Sequence, residues 1–193
     1  MTLVLIFGTS HAGKSTFARR LGAALGWPVR STDRMGRHPG RPWPQVPPAV
    51  EEHYDRLSDA AILWFHRVHH ENMRPLLRQR IDAALAAGTG TVLEGSALRP
   101  DLVAELCGAR IRAVGLRAPD GVLRDRIAAE SGWDGRPPDM RRRIDRFVAR
   151  SLADGATIAA EAERLALSMV DTSDGAAVEA AFRALLADAR GRV

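Results

Sequence analysis

The stretch "GTSHAGKST", Gly8 to Thr16, contains the only lysine in the chain, Lys14. It satisfies the pattern G-x-x-x-x-G-K-[S/T], and each residue type in it has a chemical reason. Gly8 and Gly13 allow backbone angles that turn successive N–H groups inward, forming a nest for an anion. His11 and Ala12 occupy free positions of the loop, where only their backbone would serve a bound phosphate. A helix starting at Lys14 adds its partial positive end. Lys14 brings a compact ammonium on a flexible stem, able to follow the β- and γ-phosphates of a nucleotide. Ser15 offers a hydroxyl suited to Mg²⁺, and Thr16 one for a phosphate oxygen. All other members of the 28 Lys and Arg are arginine. A composition that replaces lysine everywhere else stops at the one position needing a mobile point charge.

The rest of the composition sets bounds. A chain of 193 residues, 46% hydrophobic, suits a single domain over 1–193 with a substantial core. No apolar run approaches a membrane span, and "LVLIF" is too short for a signal-peptide core. Cys107 stands alone, which excludes an internal disulfide and fits a cytoplasmic protein, expected as monomer or homodimer. The net charge of +5 invites a nucleic-acid partner, but 23 acidic residues interleave with the basic ones and there is one tyrosine. Anionic small molecules explain the same surplus.

The elements that must position the Gly-rich loop alternate. "TLVLIFG" reads as a strand buried on both faces, followed by a helix over 14–26. "VRSTD" (29–33), "TVLEG" (91–95), "IRAVGLRA" (111–118) and "ALSMVDT" (166–172) are further strands. Residues 34–48 hold five prolines and two glycines and are read as irregular. Helical patterns cover 49–73 and 76–87, parted near Pro75, then 99–107, 119–130, 139–165 with an interruption at Gly155, and 174–190. Strands alternating with helices imply a parallel sheet covered on both faces, with ligands beyond the carboxyl ends of its strands.

No N-K-x-D guanine-reading motif exists, because the one lysine is already used, and no apolar strand ends in Asp-Glu. The third strand ends "VLEGS" instead. Taken in order, the phosphate loop, "STD", a helical insert, "VLEGS", "VGLRAPDGVLRDRI", an Arg-rich segment and "VDTSDGAAVEAAF" resemble the small P-loop kinases of the nucleoside-monophosphate kinase superfamily. These include shikimate-, gluconate- and 2-phosphoglycerate-kinase-like members. The resemblance implies an α/β, three-layer P-loop NTPase fold with a five-stranded parallel sheet in the order 2-3-1-4-5. It also implies a substrate-binding insert at 34–87, a lid region at 126–146, and transfer of the ATP γ-phosphoryl with ATP and Mg²⁺ bound.

Residue by residue, the resemblance gives Asp33 the task of orienting an acceptor hydroxyl and taking its proton. Glu94 would hold Mg²⁺ through water or contact substrate. Arg126, with Thr172 in "DTS", would meet the adenine end. Arg136 and Arg142, or Arg143 or Arg146, would reach the transferring phosphoryl. In the insert, Arg37 and Arg41 are placed to hold a carboxylate or phosphate, and Arg99 to face the same cleft. Trp43 either stacks on an acceptor ring or packs the loop. His66, His69 and His70 have helical spacings that fit a pocket edge or, less well, a metal site. The implied activity is phosphoryl transfer to a hydroxyl of a small, anionic metabolite. The alternatives are a nucleoside or nucleotide kinase and a non-catalytic ATP-binding switch.

Overall fold

The computed structural model describes residues 2–36 and 39–191. Strand β1 (Leu3–Phe7) is the centre of the sheet, and all five of its side chains are buried. Its pleat sends Val4 and Ile6 to one face and Leu3, Leu5 and Phe7 to the other, so both faces need cover. Helices α1 (Lys14–Leu25) and α7 (Gly175–Arg190) cover the first with Phe17, Leu21, Phe182 and Leu185. The second is covered by Ile81 of α3 (Asp59–Ala87), Val103 of α4 (Pro100–Leu106), and Ile158 and Ala162 of α6 (Pro138–Arg164).

β2 (Val29–Ser31), β3 (Thr91–Glu94), β4 (Ile111–Arg117) and β5 (Met169–Asp171) complete an all-parallel sheet in the order β2-β3-β1-β4-β5. This is the expected order. A third core lies above the sheet. There Trp43, Tyr54 of α2 (Pro48–Arg56) and Ile62 of α3 meet Leu123 and Ile127 of α5 (Asp120–Ser131) and Phe147 of α6. The irregular 39–47 segment is thereby packed onto α5 and α6.

Two breaks expected from the sequence are absent. α3 runs through Pro75, because burial of Met73, Leu77 and Ile81 holds both halves of the helix on the core despite the missing N–H. The chain breaks earlier, at Leu57, and Ser58 caps the new helix by accepting from the Ala61 amide at 3.2 Å. α6 passes unbroken through Gly155, whose missing side chain instead lets Thr9 approach: a Cβ there would lie 3.2 Å from Thr9 Cγ2. The strand expected at 29–33 stops at Ser31 and turns into a short 3-10 segment, Thr32–Arg34.

Candidate active site

The loop from Gly8 to Gly13 leaves β1 at the carboxyl edge of the sheet. Gly8 sits at φ 137°, and a Cβ there would come within 2.2 Å of the Leu116 carbonyl oxygen on β4. No other residue fits. Gly13, at φ 91°, heads α1 without a side-chain cap, and the first turn of the helix carries no acidic residue. The amides at that end are thus not claimed by a side chain of the helix, which is the arrangement an anion needs.

Lys14 lies back across the loop, its ammonium donating to the Thr9 carbonyl at 2.7 Å. Burial, only partly offset by Asp33, Glu94 and Asp154, holds its pKa below the ordinary lysine value. An ammonium in that position gains most from a second anion.

Lys14, Ser15 and Thr16 line a cleft of about 940 Å³. Arg126, Thr172, Asp33, Arg41, His66, His69, His70, Ser96 and Arg150 also line it. Arg126 ties the loop to the turn after β5: it donates to the His11 carbonyl at 3.1 Å and to the Thr172 hydroxyl at 2.9 Å. Asp33, exposed on the 3-10 turn beyond β2, is one of these lining residues. Glu94 is buried at the end of β3, between Ser31 and Ile6 in register, and the described residues that line the cleft do not include it.

The remaining arginines are distributed differently from expectation. Arg37 lies outside the described residues. Arg41 lines the cleft but pairs with Glu130, whose other oxygen lies 3.1 Å from His11 Nε2. His11 therefore has more than a backbone role: its ring is wedged edge-on against Phe147, and burial followed by Arg41 pushes its pKa down to about 4. Trp43 packs, against His11 and against Phe147 at 4.9 Å between ring centres.

Arg99 is a correction. It turns away from the cleft into a buried ion pair with Asp154 at 2.6 Å, because a buried carboxylate on α6 demands a cation. Arg136 and Arg142 are likewise off the cleft in this conformation. Arg136 donates to the Ser131 carbonyl at 2.7 Å, and Arg142 is an exposed partner of Asp139. Arg143 grips Asp55 and Glu51, and Arg146 grips Asp59 together with the Tyr54 and Leu57 carbonyls. Both fasten α6 to the insert.

Besides Arg126, Arg150 reaches the loop, donating to Ser10 Oγ at 3.3 Å. Sequence reasoning passed over it. A signal existed: 143, 146, 150 and 154 fall on one stripe of a helix, the stripe that faces the insert.

The histidines line the pocket. Burial pushes His66 down to about 4 and His70 down to about 2, so both are neutral at pH 7. No metal-holding group of three His, Cys, Asp or Glu exists among the described residues. No helix among them is long and apolar enough to cross a membrane.

A family profile described as "AAA domain" matches residues 3–151, which include the phosphate loop, Asp33, Glu94 and Arg150. The chain belongs to this AAA domain family. No curated protein matches it. Among solved structures, this AAA domain protein is similar to a sugar kinase from Janibacter sp. at TM-score 0.55 and 19% identity, covering 96% of this chain and 94% of that one. A gluconokinase from Sinorhizobium meliloti gives TM-score 0.53 at 19% identity, covering 97% and 91%. A third likeness, to a kinase described as putative from Chloroflexus aurantiacus, gives 0.52 at 19% identity over 95% and 93%. At such identity the likeness concerns the fold alone, an α/β fold with a five-stranded all-parallel sheet in the order β2-β3-β1-β4-β5.

Proposed function

We propose that this protein is a small-molecule kinase that moves the γ-phosphoryl of ATP to a hydroxyl of a small anionic metabolite. The reading rests on one observation above all: the phosphate loop with Lys14 and the carboxylate of Asp33 line the same cleft. A phosphoryl donor and an acid able to receive a hydroxyl proton then face one reaction volume.

In this reading the loop amides and α1 hold the β- and γ-phosphates, Lys14 leaves Thr9 for them, and Arg126 and Thr172 bound the adenine end. Asp33 accepts a hydrogen bond from the acceptor hydroxyl and takes its proton as the oxygen attacks the γ-phosphorus. The bond to the β–γ bridging oxygen breaks, and ADP leaves with the charge that Lys14 and Arg150 have neutralised. Arg150 takes the part the sequence reading gave to Arg136 and Arg142. Glu94, buried and near enough to act on the charge of Lys14, and the Ser15 hydroxyl on the cleft wall are the groups that would hold Mg²⁺, which takes one or two carboxylates plus phosphate oxygens. Bound there, the ion would neutralise charge between the β- and γ-oxygens. Arg41, Arg150 and the neutral imidazoles make the acceptor wall polar and cationic, suited to an anion.

The test is phosphorylation of a metabolite library with ATP, products read by mass spectrometry, on the natural protein and on Asp33→Asn. The substitution should lower turnover by orders of magnitude with nucleotide affinity kept. Equal turnover would remove Asp33 from its role. A folded protein that binds nucleotide yet phosphorylates nothing would leave a binding switch.

A further inference from the structure

Beyond lining the cleft, the three histidines of α3 have no task in the phosphotransfer reading. His66 lies between two charged groups of α6. Its Nε2 lies 3.6 Å from Asp154 Oδ2, an electrostatic approach rather than a hydrogen bond, and its Nδ1 faces a guanidinium nitrogen of Arg150 at 3.4 Å. A carboxylate can only accept and a guanidinium can only donate. Both neighbours therefore select the same tautomer, with the proton on Nε2 and the lone pair on Nδ1. Asp154 is kept anionic in this buried position by Arg99 at 2.6 Å and by the imidazole. Packing of the His70 ring at 4.1 Å between ring centres adds no charge, because burial keeps His70 neutral too.

The consequence falls on Arg150. Among the described residues its guanidinium hydrogen bonds go only to uncharged acceptors: His66 Nδ1, Ser10 Oγ and Ser151 Oγ, the last two at 3.3 Å. It rests 4.4 Å above the Phe147 ring, and its Nε has no hydrogen-bond partner among the described residues. Arg146 and Arg143, one and two turns back on the same stripe, are each matched by carboxylates of α2 or the start of α3. Arg150 alone of the three is held in place without being neutralised. A buried cation so arranged is set for an anion that arrives from outside.

We propose that Asp154 and His66 form a positioning relay that presents Arg150, with its charge uncompensated, to the phosphoryl group passing the Ser10 edge of the loop. His66 and Asp154 touch no reacting atom; they act through Arg150. The relay rests on the phosphotransfer reading above. Asp154 sets the tautomer, the tautomer gives Arg150 a neutral acceptor, and a neutral acceptor leaves the guanidinium charge available. A carboxylate at position 66 would hold Arg150 equally well and cancel its charge.

The test needs no knowledge of the acceptor. Affinity for ADP, and for ADP with aluminium fluoride as a mimic of the phosphoryl in flight, is measured with magnesium by calorimetry. The proteins are the natural one, His66→Gln, His66→Asn, Asp154→Asn and the double variant His66→Gln/Asp154→Asn. Gln at 66 keeps a group on the Asp154 side and loses the one facing Arg150; Asn does the reverse.

For the natural protein, fluoride should raise affinity well above that for ADP alone. In His66→Gln and Asp154→Asn that gain should shrink about tenfold or more. ADP affinity should stay within about threefold, and His66→Asn should keep more of the gain than Gln. The double variant should be no worse than either single one, as members of one chain behave. Gains that stay intact in both single variants, losses that add in the double variant, or no fluoride gain in the natural protein would overturn the relay. Failure of the natural protein to bind ADP at all would instead overturn the kinase reading beneath it.

Discussion

The Lys14 ammonium donates to the Thr9 carbonyl at 2.7 Å, from a buried position on the wall of the cleft. The side chain is thus folded onto the very loop whose ligand it would serve, and must swing outward to meet a phosphate. A flexible stem with a compact head can do so; a planar fork that requires two parallel partners cannot occupy the same space. Lys14→Arg, a conservative exchange by charge and the natural choice of this composition, should therefore reduce nucleotide affinity at least about tenfold, or roughly 1.4 kcal/mol. Calorimetry with a slowly hydrolysed ATP analogue checks this, and unchanged affinity would show the ammonium to be replaceable.

Gly8→Ala should be far costlier than an ordinary loop substitution. The new methyl would meet the Leu116 carbonyl oxygen at 2.2 Å, a backbone atom of β4 that cannot rotate away, and φ 137° is itself strained for alanine. A loss of roughly 3 kcal/mol or more in chemical denaturation is expected. Gly121→Ala, where a Cβ meets nothing within 4 Å, is the control and should change little.

The fold was legible because its signals are local. A buried strand, a Gly-rich turn and an amphipathic helix repeat along the chain, and their order implied the parallel sheet found here. The phosphate loop was legible for the same reason, since its nine residues are contiguous. The arginines were not. With so many in the chain, type carries no information, and partner choice depends on which helix faces which. Arg142 and Arg143 are neighbours in sequence, yet one is exposed beside Asp139 and the other clamps two carboxylates of α2. Arg99 was drawn from the cleft by Asp154, a residue more than fifty positions away that no short motif contains. Pro75 misled for a related reason: tertiary burial outweighed a local breaker.

That contrast between adjacent arginines is measurable. Arg143→Ala removes a guanidinium held by Asp55 and Glu51, each at 2.7 Å, from a side chain only 14% exposed. It should cost about 1–2 kcal/mol, with the insert loosening first. Arg142→Ala, at a side chain 68% exposed, should stay within about 0.5 kcal/mol. Thermal denaturation combined with limited proteolysis of the insert reads both. Equal effects would mean that Arg143 does not fasten α2 to α6.

Acidification should weaken the fold already between pH 7 and 5. Burial pushes His66 down to about 4 and His70 down to about 2, while an unfolded chain has ordinary imidazoles near 6.5. The unfolded state therefore binds protons that the folded state refuses. Stability is complete above about pH 6.5 and declines as pH falls toward 4. Asp154, held below the usual carboxylate range by His66 and Arg99 although burial alone would raise it, has its linked loss only under pH 4 and does not intrude on this window. Between pH 7 and 5 the loss from His66 alone is roughly 2 kcal/mol, an upper figure if the pocket relaxes. The denaturation midpoint should fall steadily across that interval and recover on return to pH 7. A level profile there would mean that the imidazoles take up protons without resistance, and that the histidine face of α3 is open to water.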